Sequence, residues 1–593
     1  MKSTILDWLE ERTGLRSLLQ NWLHEPLPGP PSWRRAWGAT ILFAFLVEFI
    51  TGFFLWTAYN PSSQSAWESV FYVQHVMTAG WILRGLHHWM SDVLVVLITL
   101  HLLQMIVTGA YRAPREFNFW IILVMGLLLS GFVLTGALLP WDQQGYWATA
   151  VKTNVAGMLP VVGGTIRTLV LGGGDYNHHT LARFFALHAG LFPILLLAII
   201  ALQFHVERRQ VPVASQGFPP PKRLWPDQLL VNAVACLATL CVALFLTWKF
   251  HGAHLTAPAN PTGNFPARPE WYFTCLYALR NLFHGDLELF GALGIPHIIL
   301  GFLFLMPLVG RWKLGHAFNI AFFLGVLGGA VHLTQESWAK DAKDEEFQKS
   351  RAEALFKAER VVELAKRADG IPPEGAVALL RSDALIQGPL LFAQNCSSCH
   401  RFDGHDGTGR IPKDIQSAPD LKRFASREWL AGIMKPEEIV SERYFGNTKF
   451  AEGKMQRWVK RNVPDFTEAE HEMHRKAIIA ISAEARLPYQ REQDAADQDA
   501  IVEGRRLLDE ELDCLDCHEW RNGDEDATAP WLTGYGSREW LTGIIADPDN
   551  PHYYGRNNDR MPAFGTKGIL SPKEIDLLVA WLREEWYKPA DPR

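Results

Sequence analysis

The sequence predicts an all-α protein: seven membrane-spanning helices followed by two small helical modules. Two observations carry this. Apolar residues concentrate in the first 335 of 593 positions, in seven runs near the 20 or so residues of helix that cross a bilayer core. From about residue 386 the composition becomes that of a soluble chain and contains an internal repeat, Ser426-Arg427-Glu428-Trp429-Leu430 recurring as Ser537-Arg538-Glu539-Trp540-Leu541.

The apolar runs fall at about 38–58, 86–108, 118–139, 184–204, 229–250, 294–310 and 316–334. Many of the 23 tryptophans stand near their ends, where amphipathic rings favour the membrane interface. Basic residues set the orientation. Arg34 and Arg35, then Arg112 and Arg115, then Arg208, Arg209, Lys222 and Arg223, then Arg311 and Lys313 all fall on one side of alternating helices. That side is the cytoplasm, which puts the amphipathic segment 1–36 inside and the C-terminus outside. Segment 1–36 lacks the pattern of a secretory signal. Residues 336–385 read as a charged, solvent-exposed helical connector. Two modules follow, 386–490 and 491–593. A net charge of -6 with no basic domain excludes a nucleic-acid partner.

Seven cysteines fall into two classes. Cys236, Cys241 and Cys275 are isolated in or beside apolar runs and read as small buried thiols. The other four form Cys396-Ser-Ser-Cys399-His400 and Cys514-Leu-Asp-Cys517-His518, the pattern of covalent c-type haem attachment. Two thiols on one turn can bond two vinyl groups while the adjacent His reaches the iron. A single C-x-x-C could equally be redox-active or zinc-binding; two copies inside a repeat favour haem. Such attachment occurs outside the bacterial cytoplasm, where the basic residues also place this region. The sixth ligand in small modules is commonly Met. Met561 is the candidate in the second module. In the first, Met455 occupies the equivalent late position and is preferred over Met434, which aligns with Ile545.

Intramembrane ionisable residues point to function. His87 and His101 lie fourteen apart on the second run, returning near one face roughly 21 Å apart along the axis. They can serve two haems stacked across one bilayer. His188, at the outer end of the fourth run, is placed to pair with His87.

Gly80-Trp81-Ile82-Leu83-Arg84-Gly85-Leu86-His87, Leu139-Pro140-Trp141-Asp142-Gln143, Arg183-Phe184-Phe185-Ala186-Leu187-His188 and Pro269-Glu270-Trp271-Tyr272 resemble cytochrome b of quinol-oxidising bc-type complexes, closest to the chloroplast-type branch. The resemblance covers about residues 1–335. It implies a four-helix haem-binding domain over 37–225 and a three-helix quinol-site domain over 226–335. It also implies that Arg84 and Arg183 neutralise haem propionates, that Glu270 accepts a quinol proton and that Tyr272 lines the pocket. A carboxylate beside an apolar, aromatic segment suits proton transfer on its own account.

Two positions depart from the family. Leu202 and Gln203 stand where a second His is expected on the fourth run, and His205 comes seventeen residues after His188, pointing elsewhere on a regular helix unless a bulge restores it. Gly38 and Gly52 keep a glycine pair on the first run, whereas on the third Gly136 remains but Ile122 replaces its inner partner. Both departures fall on the cytoplasmic-side haem. One or two non-covalent b haems are therefore expected, the inner one absent, held by His101 with a weak or missing sixth ligand, or ligated by Gln203 or His205.

The resulting expectation is a bacterial inner-membrane subunit of a quinol:cytochrome c oxidoreductase with two covalent c haems. It would oxidise membrane quinol at a periplasmic-side site, release protons outside and deliver electrons to a soluble cytochrome c or oxidase. No Cys/His set remains for a Rieske cluster, so that iron–sulfur partner is a separate polypeptide. The family implies a homodimeric complex. The alternatives are a quinone reductase fed by a periplasmic donor and a non-catalytic transmembrane electron conduit.

Overall fold

The computed structural model describes residues 5–24, 30–210, 224–263, 265–521, 523 and 527–589. Lys222 and Arg223 of the orientation argument lie outside the described residues. The described chain is helical apart from isolated bridges and divides into two compact units, 1–377 and 378–593.

In the first unit, seven helices are long and apolar enough to cross a membrane. We label the helices α1 (Ala36–Trp56), α2 (Gly80–Thr108), α3 (Glu116–Gly136), α4 (Gln143–Gly157), α5 (Gly163–Leu171), α6 (the span His178–Arg209), α7 (Leu229–Lys249), α8 (Thr274–Asn281), α9 (Ile295–Val309), α10 (Lys313–Lys343) and α11 (Glu345–Ala365). The spans are α1, α2, α3, α6, α7, α9 and α10, each overlapping its apolar run; α2 and α6 begin six residues earlier than their runs and α10 continues to Lys343. Their large hydrophobic residues are mostly exposed, as lipid-facing helices require. α2 packs on α1, α3 and α7, and α3 packs on α6. The core between them is built from Ala44, Met90, Leu94, Ile98, Phe119 and Met125.

α6 contains a π turn at Ala186–Leu191, which takes up one extra residue. Gln203, fifteen residues after His188, therefore returns near the face of His188. Gln203 Oε1 is enclosed, while His205 is exposed. A bulge is present, but it presents Gln203 rather than His205. Of the isolated cysteines, Cys236 and Cys275 are half-buried, whereas Cys241 is exposed on the outside of the bundle. An apolar solvent replaces protein packing around a thiol on a lipid-facing helix.

The connector is helical as expected, but not wholly solvated. α11 is capped by Asp344, whose side chain accepts from Phe347 N, and it buries Ala358, Arg360, Val361, Leu364 and Ala365 along one face.

The second unit holds α12 (Ala384–Asn395), α13 (Arg427–Ile433), α14 (Lys454–Asn462), α15 (Glu468–Glu484), α16 (Gln498–Glu510), α17 (Arg538–Ala546) and α18 (Pro572–Leu582). The repeat has a physical basis. Ser426 caps α13 by accepting from Trp429 N, and Ser537 caps α17 by accepting from Trp540 N, each at 3.1 Å. Each Trp is buried and donates its indole to a carbonyl nine residues upstream, Asp420 or Trp531. Capping boxes Thr467/Glu470 and Ser571/Glu574 open α15 and α18.

Candidate functional site

The C-terminal ends of α1 and α3 and the N-terminal ends of α2 and α6 bring His87 and His188 together, their ring centroids 6.2 Å apart and the rings 77° from parallel. Two metal–nitrogen bonds of about 2 Å put the ring centres of trans imidazole ligands roughly 6 Å apart, so one iron fits between them. The dipeptides Thr51-Gly52 on α1 and Thr135-Gly136 on α3 frame the pair. Thr51 Oγ1 lies 3.0 Å from His87 Nδ1 and Thr135 Oγ1 3.2 Å from His188 Nδ1. A Cβ on Gly52 would stand 3.1 Å from His87 Cε1, and one on Gly136 2.7 Å from His188 Cε1. Only glycine leaves room for both the ring and a macrocycle beside it. These residues fit a bis-histidine haem.

The Nδ1 partners fix which nitrogen of each ring can face a metal. His188 Nδ1 donates to the Phe132 carbonyl at 3.0 Å. His87 Nδ1 instead meets a carboxylate, Glu48 Oε2, at 2.7 Å, and Glu48 Oε1 is buried without a partner. Both rings thus present Nε2. Sequence reasoning missed Glu48, although an acidic residue inside the first apolar run, four before Gly52, was the available signal.

Glu270 and Tyr272 lie between α7 and α8, held by several anchors. Arg268 forms a bidentate pair with Asp341 of α10, both contacts 2.8 Å, and its carbonyl accepts from Gln144 at the start of α4. Asp142 caps α4 and also accepts from Thr256 N at 3.0 Å, tying the Pro-Trp-Asp-Gln turn to the same loop. Glu270 then meets Lys152 of α4 at 2.9 and 3.1 Å, and Trp271 donates to Asp92 on α2. Burial pushes the Tyr272 phenol well above its usual range, with Glu270 and Asp92 adding to it. Lys152 and Asp92 were not anticipated from sequence.

Arg84 donates to Gln74 Oε1 at 2.9 Å and to the carbonyls of Ala253 and His254. Arg183 is exposed and donates to the Leu169 carbonyl. Both donate to main-chain carbonyls near the N-terminal ends of their spans, Arg84 to the Gln74 side chain as well.

The opposite half of the bundle differs. His101 stacks on Trp37, centroids 6.0 Å apart at 24°, and its Nδ1 is enclosed. Ile122 is buried in the bundle core. Gln203 donates to Glu207 at 2.7 Å. The residues here do not supply the second imidazole that a bis-histidine haem requires.

In the second unit, His400 Nδ1 donates to the Pro419 carbonyl at 2.8 Å and His518 Nδ1 to that of Pro530 at 2.7 Å, again leaving Nε2 for a metal. Burial lowers both imidazoles below their usual range, favouring the neutral, ligating form. Burial also pushes the Cys396 thiol to about 12 and Cys514 to about 11. A redox C-x-x-C needs a lowered thiol instead. No cluster of three or more His, Cys, Asp or Glu poised for a metal occurs among the described residues. All four thiols are unpaired and available for thioether bonds. Met561 packs against the core that also contacts Cys396, whereas Met434 and Met455 both pack against the small core of Ile439, Val459 and Val463.

Residues 26–211 match the family model described as cytochrome b/b6/petB, and residues 501–586 match that of cytochrome c. The menaquinol:cytochrome c reductase cytochrome b subunit of Geobacillus thermodenitrificans is 34% identical over 218 residues, 35% of this chain and 97% of that protein. Cytochrome b6 of Porphyra purpurea is 33% identical over 208 residues, with the same shares. A chain of a hyperthermophilic respiratory Complex III aligns over 56% of this chain and 99% of its own, at 21% identity and a TM-score of 0.46. The chain belongs to the cytochrome b/b6 family and carries a cytochrome c domain at its C-terminal end.

Proposed function

We propose that the chain is the quinol-oxidising subunit of a bc-type complex, acting as a quinol:cytochrome c oxidoreductase with a separate Rieske iron–sulfur protein. The observation that carries this reading is the anchored Lys152–Glu270 pair in a bundle that also brings His87 and His188 together. A pure conduit has no need of a carboxylate held at both oxygens by a lysine.

Glu270 would accept a proton from the quinol hydroxyl, with Lys152 holding the carboxylate in place and Tyr272 lining the pocket. The b haem, when bound by His87 and His188, supplies one-electron transfer. Arg84 and Arg183, as the family resemblance implies, would neutralise its propionates. Cys396, Cys399 and His400, and Cys514, Cys517 and His518, would hold two covalent c haems that lead to a soluble cytochrome c or oxidase. Covalent haem attachment places the second unit on the periplasmic side of a bacterial inner membrane, with the N-terminus in the cytoplasm and quinol protons released outside. The complex would be homodimeric, as the family resemblance implies. We assign one bis-histidine b haem, since Gln203 and Ile122 replace the inner ligand and inner glycine.

Glu270→Gln in the purified complex tests the reading. General-base loss of about 10²- to 10⁴-fold in quinol oxidation is expected, with haem spectra unchanged; full activity would overturn it. A pyridine haemochrome b:c ratio of one to two is expected, and one to one would restore the inner haem.

A further inference from the structure

The two C-x-x-C-H segments belong to repeats of one plan. A helix precedes each (α12 or α16), and a capping-box helix follows each candidate methionine (α15 or α18). Two self-contained modules would pair α12 with α15 and α16 with α18. The structure pairs them otherwise: α12 packs on α18, and α15 packs on α16.

The contacts are intimate at both crossings. A Cβ on Gly388 of α12 would stand 2.2 Å from Trp581 Cβ of α18, and one on Gly504 of α16 would stand 2.1 Å from the Lys476 carbonyl of α15. Trp581 also stacks on Phe402, just after the first C-x-x-C-H, with centroids 4.2 Å apart.

The cores follow the same crossing. Phe392 and Ala384 from the first repeat share one core with Leu541, Ile545, Phe564 and Leu578 from the second, and both Cys396 and Met561 pack against it. Cys514 packs instead against a core built from Leu508 and Leu532 together with Ala477 and Ala480 of α15. Lys454, beside Met455, reaches Thr528 Oγ1 at 3.4 Å, and Thr528 N donates to the Cys517 carbonyl at 3.1 Å. Met455 is thus brought toward the second attachment segment. The exchange point is where Ala425 meets Gly536, equivalent residues of the two repeats whose Cβ positions would stand 2.2 Å apart.

We propose that the two c-haem sites are completed crosswise: Met561 ligates on the far side of the site formed by Cys396, Cys399 and His400, and Met455 on the far side of that formed by Cys514, Cys517 and His518. The second unit is then one interlocked dihaem body whose haem sites each draw on both repeats. Neither site can be completed by its own half of the sequence. The proposal rests on both C-x-x-C-H segments carrying haem.

The test uses the full chain in its complex. Cys396→Ser with Cys399→Ser leaves only the second c haem, and Cys514→Ser with Cys517→Ser leaves only the first. The readout is the weak far-red charge-transfer band that marks an iron–thioether bond. In the first background, Met455→Ala should abolish the band and Met561→Ala should spare it; in the second, the dependence should reverse. Dependence of each haem on the methionine of its own repeat overturns the crossing, as does a band indifferent to both. Absence of covalent haem in the unsubstituted chain would instead sink the underlying reading of the C-x-x-C-H segments. Should the single-haem chains fail to mature, a protease site inserted between Ala495 and Ala496 gives a second measurement. The nicked chain should stay one particle until denatured, and release of a folded monohaem fragment would overturn the crossing.

Discussion

Glu48 Oε2 lies 2.7 Å from Nδ1 of His87. Of the four imidazoles assigned to iron with an anchored Nδ1, only this one is backed by a carboxylate. His188, His400 and His518 all donate to main-chain carbonyls. A carboxylate draws the Nδ1 proton more strongly than a carbonyl and makes the ring a more basic ligand. It stabilises the oxidised iron and lowers the haem potential. Glu48→Gln should therefore raise the midpoint of the b haem. A shift of about 59 mV corresponds to a tenfold change in a one-electron equilibrium, and a change of that order is expected in a redox titration. The c-haem midpoints should stay where they are.

Gly136→Ala is expected to eliminate the b-haem absorbance. The added Cβ would stand 2.7 Å from His188 Cε1, and α3 cannot yield without moving the Thr135 hydroxyl that also meets that ring. In an ordinary helix the same change would stabilise by roughly 0.5–1 kcal/mol. A pyridine haemochrome assay showing c haem retained and b haem lost would separate the two effects.

The lengths and order of the spans were legible because about 20 apolar residues mark a bilayer crossing regardless of neighbours. The pairing of His87 with His188 was legible because helical periodicity and motif order both constrain it. Glu48 and Lys152 were not, since each matters only through a residue remote in sequence, His87 or Glu270. The π turn at Ala186–Leu191 was equally hidden. It is a one-residue change of register with no composition signal, and it decides that Gln203 rather than His205 turns inward. The exposed Cys241 shows the limit of soluble-protein intuition inside a bilayer.

Lys152 is expected to act as a positioning residue. It holds both oxygens of Glu270, at 2.9 and 3.1 Å. Lys152→Gln should lower kcat for quinol oxidation by about tenfold, a loss worth about 1.4 kcal/mol of transition-state stabilisation, with KM little changed. Lys152→Arg should recover most of it, because the charge and reach are retained. A purely structural lysine would show no such rescue, and haem content should be unaffected in either variant.

Gly388→Val addresses the helix crossing by stability rather than ligation. The site is on α12, before the first C-x-x-C-H, yet the atoms that a side chain would strike belong to Trp581 on the last helix. Overpacking of such a contact costs about 1–3 kcal/mol, and α18 would have to move away together with Phe564 and Leu578 of the shared core. Thermal unfolding followed by Soret circular dichroism of the c haems should show a lowered midpoint. The Met561-dependent far-red band should be lost first on heating, although Met561 lies 173 residues from the substitution. Early loss of the Met455-dependent band alone would contradict that order, since Met455 packs in a different core.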